Sequence, residues 1–282
     1  MPIQLRCPVC RQVLNILESG ACCENNHQFD RAKQGYFNLL PSHKKRSKNP
    51  GDDKTMVQAR SRFLDSGHYQ PVVQHLIETI KTLTAGIESP AIFDAGCGEG
   101  YYTGEVQKAF THAHVAGLDI AKPAIIACSK RSKNVQWMVG SVTDLPLMDN
   151  QFDIIISIFS RCHWQEFSRV LKPGGYILVL APGQEHLLEL RQAIYEAVRP
   201  YPVDKQMEQL PENLSLINSQ PVTSRMQLPD SDTIMNLLAM TPHYWHVKAE
   251  QKQKLQHLSH LDCRLDMKFY TVLNSKELLE VN

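Results

Sequence analysis

Four residues near the start of the chain, Cys7, Cys10, Cys23 and His27, have the types and the spacing of a metal site. In the order C-x2-C-x12-C-x3-H, Cys7-Pro8-Val9-Cys10 makes a knuckle whose two thiolates reach one ion, and Cys23 with His27 closes the second half. Three thiolates and one imidazole satisfy tetrahedral Zn2+ and leave no open position, so the zinc is expected to be structural. A segment this small cannot bury a core of its own, and metal binding supplies its folding free energy. Cys22 competes with Cys23 for the ion, but C-x3-H is the more familiar closing half, which leaves Cys22 a neighbouring free thiol. The twelve residues between the halves, RQVLNILESGAC, read as a β-hairpin rather than a strand followed by a recognition helix. The other cysteines, of eight in all, are too scattered for a disulfide framework.

A second stretch, AIFDAGCGEG from Ala91 to Gly100, has the make-up of a turn that holds a nucleoside cofactor. Ala91 to Phe93 read as a short buried strand, Asp94 is an acid before the turn, and Gly96, Gly98 and Gly100 let a ligand approach the backbone with no Cβ in the way. A helix then begins at Tyr101, and its first N–H groups suit a carboxylate or a phosphate equally well. The order D-x-G-x-G-x-G lacks the third glycine of a dinucleotide fingerprint. The next strand, His114 to Ile120, ends on Asp119, placed either to accept hydrogen bonds from ribose hydroxyls or to cap the helix that starts near Lys122.

Two later segments position this site. Phe152 to Phe159 reads as a further strand, and in LKPGGYILVLAP, Leu171 to Pro182, the Lys172–Gly175 turn sends the chain from a helix into a fifth strand. Together with the glycine turn they resemble the motifs of class I S-adenosylmethionine (SAM) methyltransferases. That resemblance implies an α/β, Rossmann-like fold with a seven-stranded sheet, here preceded by a small N-terminal zinc-binding domain. Many members of that class carry an acid four positions before the Leu of Leu145-Pro146 to hold the adenine amino group, where this chain has Ser141 and, nearby, Asp144. Beyond Glu185 the pattern predicts a helix to about Val198, a Pro-rich loop over 200–221, a strand near Arg225, a helix from Ser231 to Met240 and a last strand from Leu265 to Leu273. A loop that long suggests a lid or a binding segment.

The charge is nearly balanced overall but unevenly placed. Residues 1–62 hold 11 Lys or Arg against 5 Asp or Glu, which leaves 19 against 24 for the remainder. An N-terminal part of this sign approaches a polyanion. The run Lys44-Lys45-Arg46-Ser47-Lys48 reads as a phosphate-contacting linker, and Phe29, Tyr36 and Phe37 interleaved with Arg31 and Lys33 suit stacking on unpaired bases, with a small core beneath the zinc as the plainer reading. No apolar run reaches membrane-spanning length, and Met1 to Arg11 lacks the apolar core of a signal peptide, so a cytoplasmic protein with no membrane partner is expected.

The segments after the knuckle make the resemblance specific. Gln28-Phe29-Asp30, Gly35-Tyr36, Asn38-Leu39-Leu40-Pro41, Pro50-Gly51-Asp52, Phe63-Leu64-Asp65, Gly67-His68-Tyr69-Gln70-Pro71 and Gly96 to Thr103 resemble, in order, the 23S ribosomal RNA guanine-N1 methyltransferase family. The match implies zinc ligands at Cys7, Cys10, Cys23 and His27, and SAM contacts at Tyr69, Gly98, Glu99 and His186. It implies methylation of N1 of a guanine in a 23S hairpin loop, of the position 745 type, by a homodimer whose zinc domains frame the RNA. The chain divides as a zinc-binding RNA-recognition domain over 1–40, a basic linker and helix over 41–85, and the methyltransferase domain over 86–282.

Guanine N1 carries a proton at neutral pH, so a general base or a stabilised tautomer is required. Ser160, Arg161, Cys162 and His163, after the fourth strand, are the candidates, with His163 chemically the best suited, but the sequence singles out no catalytic residue. Three other readings compete: a SAM methyltransferase of a small molecule, for which the knuckle would be superfluous; a nicotinamide-dependent oxidoreductase, disfavoured by the glycine spacing; and a non-catalytic zinc-dependent RNA-binding protein, which Ser141 alone encourages. As a separate unit, the knuckle would be lost on replacing Cys10 with SAM binding spared.

Overall fold

The computed structural model describes residues 3–44, 47 and 50–275, and Lys45, Arg46 and Lys48 of the basic run lie outside the described residues. The chain opens with β1 (Leu5–Arg6), β2 (Val13–Ile16), β3 (Gly20–Cys22) and β4 (Gln28–Asp30), which pair antiparallel in that order. The β2–β3 pair is the expected hairpin between the two halves of the metal motif.

Next come β5 (Phe37–Asn38), α1 (Lys54–Asp65) and α2 (Gln70–Leu83). The alternation that follows is β6 (Ala91–Ala95), α3 (Tyr101–Ala109), β7 (His114–Asp119), α4 (Lys122–Arg131), β8 (Val135–Val139), β9 (Phe152–Ile158), α5 (Trp164–Val170) and β10 (Leu171–Pro182). The described residues end on α6 (Leu188–Ile194), β11 (Leu214–Leu228), α7 (Ser231–Ala239), α8 (Ala249–Gln256) and β12 (Leu261–Asn274). The main sheet runs β11-β12-β10-β9-β6-β7-β8-β5, parallel except for the antiparallel β10–β12 and β11–β12 pairs. Because β6 lies between β7 and β9, the strand order reverses there, and the crevice at the carboxyl end of β6 is where such sheets hold ligands.

The sheet has eight strands, not the expected seven. The extra one comes from the N-terminal segment: Phe37 and Asn38 pair in parallel with Met138 and Val139 and cover the edge of β8. Burial makes the same connection. Leu5, Leu14, Cys23, Phe37 and Leu39 share one core with Phe93, Leu118, Met138 and Phe152 of the sheet and Phe167 of α5. Residues 140–151 form no helix, and the metal-binding lobe packs on the sheet face that a helix there would cover. On the opposite face Phe63, Val72, Val106, Ile125, Leu190, Ile234 and Leu255, from the other helices, bury their apolar sides.

Three local expectations change. Tyr36 and Phe37 are buried, so the core claims two of the three aromatic residues read as base-stacking, and the Arg31 guanidinium lies 5.0 Å from the Phe37 ring centre. The helix expected to reach Val198 stops at Ile194, because the Arg191 side chain donates to the carbonyls of Arg199 and Gln184 and draws the chain into a loop. The loop over 200–221 ends at Leu214, where β11 begins, and Pro221 sits inside that strand opposite Lys268. β11 is an edge strand among the described residues, the place in a sheet where proline is tolerated.

Candidate cofactor cleft and metal centre

The ligand atoms of Cys7, Cys10, Cys23 and His27 lie within 4.8 Å of one another. Cys10 and Cys23 Sγ are 3.6 Å apart, and His27 Nδ1 is 3.7 Å from Cys7 Sγ and 3.4 Å from Cys23 Sγ. Tetrahedral zinc with thiolate and imidazole ligands separates neighbouring donors by about 3.5–3.8 Å, so the residues fit that ion. The Gln12 backbone N–H, helped by the Asn25 side chain, holds the Cys10 thiol down at about 6. Cys22, on β3, is not in the cluster, which resolves its competition with Cys23.

The glycine turn sits at the end of β6 as expected. Gly96, Gly98 and Gly100 have φ of 87°, 56° and 83°, the left-handed region, and a Cβ on Gly96 would lie 2.6 Å from that of Ser160. Asp119 organises the turn from the end of β7: its two carboxylate oxygens accept from Gly98 N at 2.9 Å and from Ala121 N at 2.8 Å. It thus braces both the turn and the entry to α4, whose N-cap is Ala121. Burial raises its carboxyl pKa while those two N–H groups oppose the rise.

Asp94 accepts from Thr103 Oγ1 at 2.6 Å through one oxygen, and its Oδ1 has no partner among the described residues. Burial, with smaller contributions from Asp119 and Glu99 and against the Thr103 bond, pushes this carboxyl up to about 7. A folded-state pKa above the unfolded value means that the native chain binds the extra proton between about pH 4 and pH 7. Stability should therefore be fullest at the acid end of that window and fall as pH rises through it, by up to about 1.4 kcal/mol per pH unit. Urea unfolding of the SAM-free protein across the window should show this slope, and Asp94→Asn should flatten it; an unchanged slope in the variant would assign it elsewhere.

Glu99 points away from solvent into an ion pair with Arg131 at 2.6 Å, and Arg131 also meets Asp65 at 2.7 Å. Burial raises the Glu99 carboxyl, whereas the hydrogen bond to Asp65 and the field of Glu99 overcome burial and raise Arg131. Tyr69 is fully buried at the start of α2, edge-on to Phe63, and its hydroxyl has no partner among the described residues. His186 is buried too, with Nδ1 lacking a partner among the described residues; burial and the Arg191 charge push its imidazole down to about 3, so it is neutral at ordinary pH. Its ring is 5.7 Å from Phe159 and 6.4 Å from Tyr201. The structure thus gathers Asp94, at the end of β6, and Asp119, at the end of β7, about the turn of Gly96 and Gly98, and sets His186 between Phe159 and Tyr201.

The orphaned polar atoms of Tyr69, Asp94, Tyr102 and His186 are a cost that a polar ligand would relieve, and a glycine turn beside an acid at a strand end suits a nucleoside. These residues fit SAM. Ser141 bonds Thr143 at 2.8 Å, and Asp144, the nearby acid considered for adenine, forms a 3.0 Å ion pair with Arg6.

That pair belongs to a clamp that spacing does not signal, since its members are up to 163 residues apart. Arg6 donates to Leu145 O at 3.0 Å and lies 3.6 Å from Glu166; Glu166 accepts from Leu145 N at 2.6 Å and from Arg169 at 2.7 Å. Arg169 in turn reaches Leu147 O at 2.8 Å. The residue just before Cys7 of the metal-site cluster, a candidate ligand, therefore fixes the loop after β8. Among the candidate bases, His163 precedes α5 with Nδ1 lacking a partner among the described residues, and burial pushes the Cys162 thiol up to about 11.

Comparison with known proteins agrees with this geometry. Residues 5–48 match the family model described as RlmA, N-terminal, a zinc ribbon, and residues 93–179 match a methyltransferase domain. The 23S rRNA (guanine(748)-N(1))-methyltransferase of Streptomyces fradiae is 34% identical over 86% of this chain and 86% of its own length. YxjB of Bacillus subtilis (strain 168), provisionally named a 23S rRNA (guanine-N(1)-)-methyltransferase, is 32% identical over 93% of this chain and 94% of its own. With the metal cluster, the reversed strand order and the glycine turn all in place, the chain belongs to the 23S rRNA (guanine-N1)-methyltransferase family.

Proposed function

We propose that the protein transfers a methyl group from SAM to N1 of a guanine in a hairpin loop of 23S ribosomal RNA. The observation that carries this reading is the joining of a complete zinc-ligand set to a class I donor cleft in one shared core, a pairing that a small-molecule methyltransferase would not need. SAM supplies an electrophilic methyl group, and the transfer is an in-line displacement that depends chiefly on orientation. Gly96, Gly98 and Glu99 form the turn about the donor, Asp94 and Tyr69 offer polar atoms to it, and His186 offers a neutral imidazole. Asp119, though it braces two backbone N–H groups, retains lone pairs for ribose hydroxyls. Because N1 lies on the Watson–Crick edge, the guanine must be unpaired or flipped.

In this reading residues 1–40 meet the RNA, 41–85 connect, and 86–282 hold the donor, in a cytoplasmic homodimer. The excess of cations over residues 1–62 supports an RNA partner, as does a cavity of about 680 Å3 at the ends of β7 and β8, with Lys54, Lys122 and Lys130 among its lining residues beside Asp52 and Asp53. No helix among the described residues is long and apolar enough to cross a membrane.

The test is methylation of naked 23S RNA with labelled SAM, followed by primer extension, which halts at an N1-methylated guanine. Label on no guanine N1 sinks the proposal. A stop at position 745 upholds the branch expected from the sequence, and a stop at 748, the guanine named for the Streptomyces relative, replaces it.

A further inference from the structure

Phe159 is a large aromatic side chain left 47% exposed at the end of β9, in a chain that buries most of its others. Its backbone has φ of 54°, a left-handed conformation uncommon for a bulky residue and one that must be held by its surroundings. Those surroundings are visible. Phe159 N donates to Leu180 O at 3.1 Å on β10, and the next residue, Ser160, donates to Ala95 O at 2.6 Å and shares a 2.8 Å hydroxyl contact with Ser157. Ser160 is also the side chain that a Cβ on Gly96 would strike. The strained residue is thus tied to the glycine turn on one side and faces the neutral His186 ring, 5.7 Å away and tilted by 33°, on the other.

From this we infer that the exposed face of Phe159 is the surface on which the acceptor base stacks when it leaves the RNA loop. This deepens the reading above and rests on it. An unpaired base needs a π-face to replace the stacking lost on extrusion, and an aromatic ring presented at the mouth of a donor cleft supplies one. The left-handed backbone has a purpose in these terms. It turns the ring outward at the strand end, whereas the preceding Ile158 is buried in the core. Stacking recognises the base as a planar ring; it positions N1 and moves no proton.

The experiment compares the full-length wild type with Phe159→Ala and Phe159→Trp, using a 23S hairpin RNA, SAM titration by calorimetry, and the same hairpin carrying 2-aminopurine at the acceptor position. Phe159→Ala should reduce kcat/KM for RNA by about 10- to 100-fold, the size expected of one lost base–aromatic stack, while SAM affinity stays within about 2-fold. Phe159→Trp should restore most of the rate. The 2-aminopurine signal should be quenched in the wild-type and Trp complexes and brighter in the Ala complex. Wild-type kcat/KM in Phe159→Ala overturns the inference, as does a proportional loss of SAM binding, which would mark a merely structural role. If the wild type methylates no guanine N1, the functional reading fails and this inference with it; if it does and Phe159→Ala matches it, only the inference fails.

Discussion

Replacing Cys23 by alanine should abolish zinc binding and, with it, methylation of RNA, lowering the transfer rate by at least about 100-fold. The thiolate is one of four candidate donors, and a structural zinc site in an isolated small domain contributes an apparent ~10–16 kcal/mol at neutral pH, so a lobe that depends on the ion should not survive its loss. The structure adds a second consequence. The lobe is no separate unit: Phe37 and Asn38 extend the main sheet, and Arg6, next to Cys7, bonds Asp144 and Leu145 O. Breaking a buried charged pair on one side leaves its partner uncompensated, and here the unclamped segment is the loop after β8, on the cofactor side of the sheet. SAM affinity should therefore also fall, by about 10-fold, instead of being spared. Metal analysis and calorimetric SAM titration of the purified variant check both parts. Retained zinc would overturn the ligand set, and zinc loss with unchanged SAM affinity would overturn the coupling.

The second large effect should come from Asp119→Ala. The carboxylate accepts from Gly98 N and Ala121 N, and each such bond to a charged acceptor contributes about 1.5–3 kcal/mol. Part of that sum stabilises the turn before any ligand arrives. If about 3 kcal/mol is expressed in binding, SAM affinity falls on the order of 100-fold. Asp119→Asn keeps one acceptor oxygen and should lose far less, on the order of 10-fold. Calorimetric titration gives the answer directly: an alanine variant that binds SAM within about 3-fold of the wild type would remove Asp119 from the site.

Parts of this molecule were legible because their determinants are close together in the chain. The candidate metal ligands span residues 7–27, a reach over which a hairpin alone brings thiolates and imidazole into contact. The glycine turn is likewise local, since its left-handed angles are a property of Gly96, Gly98 and Gly100 themselves. Asp119 could be placed at a strand end from the apolar run before it, but not its bond to a backbone N–H 21 residues away. The aromatic residues Tyr36 and Phe37 show the limit from the other direction: their pattern suited base stacking, and only the packing of the lobe on the sheet revealed them as core.

By itself the sequence determined the glycine turn, the clustering of three cysteines with one histidine and the alternation of strands and helices, because each depends on residue type, backbone freedom and short-range spacing. Only the tertiary structure decided that an eighth strand ties the metal lobe to the sheet, that Glu99 pairs with Arg131, that Asp144 serves Arg6, and that Phe159 stands exposed in a strained turn. Those features depend on which residues meet across long separations in a closely packed core, and close packing is a property of the assembled fold, which no periodicity in the chain encodes.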